Sequence, residues 1–160
     1  MLKILASAVL LLSTTAAASA QYNGSYGGAI VKDTNQDVTV DCNGGPAIID
    51  GSNNDVVFEG VCSSLTIKGT NNDATILLAP DAFVTIDGSN NNVISQTTAR
   101  FSGARNLRID GTNNDISITL AAAASVGVAG SNNDVTWRSS ARKLPRVNVS
   151  GANNAIKRVR

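Results

Sequence analysis

The side chains best able to do chemistry in this sequence recur within a repeated hexapeptide, whose clearest copies read GSNNDV and GTNNDI. Five copies place an Asp at the same point and one places an Asn there: Asp37, Asp55, Asp73, Asn92, Asp115 and Asp134. Stacked carboxylates repel unless hydrogen bonds or a cation satisfy them, so this column predicts either turn-capping carboxylates or a Ca²⁺ site. The glycine pattern of secreted Ca²⁺-binding repeats is absent, and we therefore predict neither a metal nor another cofactor.

Other catalytic groups are sparse. The chain has no His, which excludes His-based acid–base catalysis and His metal sites. No pair of carboxylates is spaced in the sequence as a glycosidase motif would be. An enzyme that uses an Arg as proton acceptor next to Ca²⁺ stays open as an alternative, with acidic polysaccharide as its substrate.

The hexapeptide sets the architecture. Copies begin 18 to 23 residues apart, at Asp33, Gly51, Gly69, Gly88, Gly111, Gly130 and Gly151. Apolar residues alternate before each Gly, as at Leu65 and Ile67, and alternate again after each motif, which is typical of half-buried strands. Repeats this short must stack on one another to bury an apolar face. We therefore predict an all-β parallel β-helix (a β-solenoid) of about seven coils of 18–23 residues.

The Asn-rich motif is expected to form the corner between two strands. Gly and Asn tolerate the left-handed backbone conformation that sharp turns require. Because equivalent corners stack ~4.8 Å apart, Asn side chains can hydrogen-bond from coil to coil as a ladder. The ladder comprises either the first Asn of each motif or the Asn that follows it. The first set is Asn53, Asn71, Asn90, Asn113, Asn132 and Asn153.

The repeated GSNND and GTNND corners resemble those of a bacterial secreted family catalogued as domain of unknown function 3060. The resemblance covers Asp33 to about Ile156 and includes a Cys pair in the early repeats. It implies an exported solenoid-like domain. It implies no activity and no catalytic residues.

Cys42 and Cys62 lie about one coil apart in the return segments of the first two repeats. Stacking could bring them together, and an exported chain with two Cys residues usually pairs them. We predict a disulfide that fastens the first coils. Two free thiols are the alternative.

The first twenty residues have the pattern of a cleaved signal peptide, with a positive start, an apolar stretch and small residues before Ala20. We expect residues 1–20 to be removed and residues 21–160 to form a single solenoid domain that is secreted or periplasmic. No later segment is long and apolar enough to span a membrane.

Cations concentrate near the C-terminus, because no acidic residue follows Asp134. The return segments after Val93 and Val135 are long, and the one between them is short. This predicts a shallow groove with the short return as its floor, since insertions in a solenoid lie on one side. The candidate ligand-binding residues are Arg100, Phe101, Arg105, Arg142, Lys143 and Arg146.

These residues favour an exported, non-catalytic structural or binding module whose partner is an anionic polysaccharide or another cell-envelope polymer. Two solvated basic loops without a partner are the simpler interpretation of the same residues. A self-associating matrix component is a further alternative, which the basic C-terminal edge opposes. Nucleic acid is not expected, because aromatic residues are not interleaved with the cations along the chain.

Overall fold

The computed structural model describes residues 27–96, 106–120, 124–139 and 144–159, where every regular element is a β-strand. The all-β prediction is confirmed, and these ranges contain no apolar helix long enough to cross a membrane. The predicted signal peptide, residues 1–20, lies outside the described residues. The strands are β1 (Ala29–Val31), β2 (Asp37–Asp41), β3 (Pro46–Asp50), β4 (Asp55–Thr70), β5 (Asp73–Ser89), β6 (Asn92–Gln96), β7 (Asn106–Thr112), β8 (Asp115–Thr119), β9 (Ser125–Ser131), β10 (Asp134–Arg138), β11 (Arg146–Val149) and β12 (Ala155–Arg158).

The strands stack in parallel, turn upon turn, on two faces that meet at the Asn corners. The entry face leads into each corner and consists of β1, β3, the second halves of β4 and β5, β7, β9 and β11. The exit face follows each corner and consists of β2, the first halves of β4 and β5, β6, β8, β10 and β12. The predicted parallel β-solenoid is therefore confirmed.

The chain makes about six turns, and the prediction of about seven coils was too high by one. Seven corner motifs were counted as coils, but seven corners enclose six intervals. The register reproduces the repeat in the sequence, since Ile49 lies beside Ile67 and Ile67 beside Ile86.

Alternate residues of each strand face inward, and their apolar side chains fill the interior of the solenoid. On the exit face Phe58, Ile118 and Trp137 occupy equivalent inward positions and are at most 6% exposed. The return side closes the core with buried Leu78 and Leu120. Because each turn covers the apolar residues of its neighbour, burial is shared along the whole rod.

The corners explain the Gly and the first Asn of the motif. The first Asn of each motif adopts a left-handed conformation, with φ between 55° and 57°. At Gly130 the backbone has φ of 110°, and a Cβ there would overlap the carbonyl oxygen of Gly111 on the preceding turn. The same overlap recurs between Gly151 and Gly130. A side chain at these positions would hold the corners apart, so the motif requires Gly.

The second Asn of each motif forms a buried ladder inside the corner. Asn72 is fully buried, and its side-chain oxygen accepts hydrogen bonds from the backbone N–H (3.2 Å) and the side chain (2.9 Å) of Asn54. Its amide nitrogen donates to the Asn91 side chain (3.0 Å) and to the Gly51 carbonyl (3.0 Å). All four hydrogen-bonding positions of the amide are thus used, as burial of a polar side chain requires.

The first Asn of the motifs forms a second ladder at the surface, which runs from Asn35 to Asn113. Asn53, Asn71 and Asn90 are exposed. Asn71 donates to Asn53 at 3.0 Å, and Asn90 donates to Asn71 at 3.1 Å. The predicted asparagine ladder is present as two adjacent columns, one exposed and one buried.

Cys42 and Cys62 form the predicted disulfide, with their Cα atoms 5.2 Å apart and both side chains buried. The bond joins the return segments of the first two turns. Because it closes a loop of 20 residues, the chain-entropy account gives a stabilisation of about 3 kcal/mol.

Candidate functional site

Of the six predicted ligand-binding residues, one lies within the described ranges. Arg146 is exposed and begins β11, where its Cα partner is Ser125 of β9. The other five predicted residues lie outside the described ranges: Arg100, Phe101, Arg105, Arg142 and Lys143.

The points where the two long returns leave and rejoin the solenoid are nevertheless defined. On the exit face the returns follow Gln96 and Arg138, the last residues of β6 and β10, with β8 between them. On the entry face Asn106 pairs with Ser125, and Ser125 pairs with Arg146. The two returns are therefore anchored two strand spacings apart, about 10 Å, on both faces.

A groove opens on the exit face beside these anchors. The pairing of β6 with β8 ends at Ile94 and Ser117, whereas β8 and β10 stay paired as far as Thr119 and Arg138. The separated end of β6 leaves a cavity of about 390 Å³. It is lined by Ile94, Ser95, Gln96, Ser117, Ile118, Thr119 and Arg138.

Ser95 contributes to this opening. It occupies the inward position that Ile76 fills on the preceding strand, and it is only 9% exposed. Its hydroxyl donates to the carbonyl oxygen of Gln96 at 3.4 Å. Because serine is smaller than the isoleucine beside it, the interior is less filled at the place where the strands separate.

Several cationic side chains lie near the C-terminal end of the solenoid. Lys157 pairs with Asp134 at 3.4 Å. The Arg158 guanidinium lies 5.5 Å from the centre of the Trp137 ring and donates to the Ser139 carbonyl. Arg138 and Arg146 form no ion pair with any part of the chain that the structure describes. Their guanidinium groups could therefore make bidentate hydrogen bonds to carboxylate or phosphate.

One exposed aromatic residue near the anchors was not predicted from the sequence. Phe83 is 61% exposed on the entry face, where its Cα partners are Ser64 and Asn106. Alternation from the buried Val84 already places Phe83 outward.

The Asp column is present, and neighbouring members lie in register: Asp37 with Asp55, Asp55 with Asp73, and Asp115 with Asp134. Asn92 lies between Asp73 and Asp115, as the sequence predicts. Within the described ranges, no three acidic, Cys or His side chains cluster closely enough to hold a metal ion.

Comparison with known proteins gives one family match over part of the chain. No curated protein and no solved structure matches the chain. The resemblance predicted from the repeats extended from residue 33 to about residue 156, whereas the matched segment is shorter. Residues 49–102 match the family described as "Protein of unknown function (DUF3060)", which confirms the predicted resemblance over this part of the chain.

Proposed function

We propose that this protein is an exported, non-catalytic binding module whose two long returns contact an anionic cell-envelope polymer. One observation carries the proposal. The returns are anchored two strand spacings apart on both faces. Arg138 and Arg146, which lie at the two ends of the second long return, lack carboxylate partners within the described chain.

The solenoid suits this role because it is a rigid support. Strand pairing fixes the backbone of Arg138 and Arg146, so this backbone needs little ordering when a polymer binds. Arg142 and Lys143 lie between Arg138 and Arg146 in the sequence and supply two further cations in the same return. Binding of this kind is driven by charge, so it weakens as the salt concentration rises.

Export is supported by two features. The first twenty residues have the pattern of a signal peptide. The buried Cys42–Cys62 disulfide is typical of proteins that mature in an oxidising compartment. Both features would place the protein where envelope polymers occur.

A pull-down tests the proposal. The oxidised protein is incubated with isolated bacterial envelope polymers at low and at high salt. We expect retention at low salt that is lost at high salt and lost in the triple variant Arg142→Ala/Lys143→Ala/Arg146→Ala. Absence of retention at low salt would refute a polymer-binding function.

Self-association is a second candidate, favoured by the last turn of the solenoid. Val147 and Val149 are 44% and 42% exposed, although their partners on the preceding turn, Val126 and Val128, are buried. A second copy could cover them, while Arg146 and Lys157 would oppose that contact by charge repulsion. Light scattering over a hundredfold range of protein concentration tests this candidate. A constant monomer mass would exclude it.

A further inference from the structure

We propose that the entry face carries a saccharide-binding row headed by Phe83, and that the polymer recognised is an acidic polysaccharide. This inference rests on the proposed function and specifies its ligand class. The row runs across four adjacent strands, in register, from Phe83 through Asn106 and Ser125 to Arg146. Its length is about 14 Å, three strand spacings.

Phe83 supplies an apolar platform. At 61% exposure it presents most of its ring to solvent from a strand whose neighbours at this position are Ser64 and Asn106. The core makes little use of this exposed ring, which is therefore available to a ligand. The C–H face of a pyranose ring can pack on such a ring, whereas a phosphate group has no apolar face to offer.

The next two residues supply polar groups. The side-chain oxygen of Asn106 accepts a hydrogen bond from the backbone N–H of Ser125 at 3.2 Å. This bond orients the amide and leaves its N–H donors without a partner among the described residues. Together with the exposed Ser125 hydroxyl, these donors suit the hydroxyl groups of a sugar.

Arg146 supplies the charge at the far end of the row, where a uronate carboxylate could accept two hydrogen bonds from the guanidinium. A depression of about 180 Å³ lies alongside, because Gly127 has no side chain and a Cβ there would meet nothing within 4 Å. Asn148 and the Arg108–Asp110 ion pair (3.5 Å) also line this depression. The row thus combines an apolar platform, neutral hydrogen-bonding groups and a cation in one line.

A sugar polymer fits this row better than a nucleic acid does. Single-stranded nucleic acids are held by several aromatic residues, each stacking on a successive base. Within the described part of the row Phe83 is followed by an amide, a hydroxyl and a guanidinium.

The test measures dissociation constants of the oxidised protein for three probes: polygalacturonate, long-chain polyphosphate and single-stranded DNA. We expect Phe83→Ala to weaken polygalacturonate binding about tenfold and to change polyphosphate binding less than twofold, since only the sugar polymer offers a ring to stack. Phe83→Tyr retains the platform and should bind polygalacturonate within about twofold of the parent. Ile30→Ala truncates another exposed apolar residue of the entry face and is the matched control. It should change neither the affinity for polygalacturonate nor the affinity for polyphosphate.

The outcomes separate the inference from the proposed function. In one outcome the protein binds polygalacturonate and polyphosphate in a salt-sensitive way, and Phe83→Ala changes neither affinity. That result would overturn the saccharide row and leave the proposed function standing. Binding of DNA alone, lost in Phe83→Ala, would overturn the row in favour of a nucleic-acid surface. Failure to bind any of the three polymers would overturn both.

Discussion

The neighbouring residues Asn71 and Asn72 donate their side-chain hydrogen bonds in opposite directions along the solenoid. Asn71 donates to Asn53 on the preceding turn, and Asn72 donates to Asn91 on the following turn, both at 3.0 Å. The exposed and buried amide columns therefore have opposed dipoles. Only the buried column also bonds to the backbone, through the N–H of Asn54 and the carbonyl of Gly51. The second Asn of the motif therefore ties adjacent corners together more strongly than the first.

The two columns should differ in their contribution to stability. Asn114→Ala removes the acceptor of the Asn91 backbone N–H and side chain, and the donor to the Gly88 carbonyl and the Asn133 side chain. Because these groups are buried, we expect it to reduce the free energy of unfolding by about 2–4 kcal/mol. Asn113→Ala loses an exposed bond and strains the left-handed backbone, at a cost of about 1–2 kcal/mol. The control is Thr136→Ala, which alters a partly exposed residue of β10. Urea unfolding measures all three, and equal costs for Asn114→Ala and Thr136→Ala would refute the buried ladder.

Two glycines of β9 provide a matched pair for the corner. Gly130→Ala drives a Cβ into the Gly111 carbonyl, and we expect a loss of about 3 kcal/mol or more, or failure to fold. Gly127→Ala places its Cβ in open space on the same strand, and we expect a change within about 0.5 kcal/mol. Thermal unfolding compares them. Similar stabilities for the two variants would show that the corners do not need close backbone approach.

Reduction of the disulfide should loosen the first two turns. We expect reduced protein to lose about 3 kcal/mol of unfolding free energy. Faster amide exchange should be concentrated in β2, β3 and the first half of β4. The double variant Cys42→Ala/Cys62→Ala should have similarly low stability with and without reductant. Uniform loss of protection along the whole rod would contradict a local role for this bond.

The sequence predicted the features that repeat and missed those that do not. Alternation around residues such as Ile67 and Ile86 predicted both faces, and spacing suggested the Cys42–Cys62 pair. The two-residue alternation could also have identified the buried ladder, because Asn54 lies two residues before the inward-facing Val56. The cavity at the end of β6 is not the groove predicted between the long returns, and it could not be predicted in this way. It depends on where β6 separates from β8, which follows from the path of one 23-residue turn rather than from the repeat.

The most direct test of the account compares two variants of equal net charge. Arg138→Gln/Arg146→Gln removes the two cations at the anchors of the second long return. Lys32→Gln/Lys68→Gln removes two exposed cations elsewhere on the rod. Affinity for polygalacturonate is measured at several salt concentrations. We predict that the first variant binds at least about tenfold more weakly than the parent, with a smaller salt dependence, while the second stays within about twofold. Equal losses in both variants would show that net charge alone attracts the polymer and that the returns form no site.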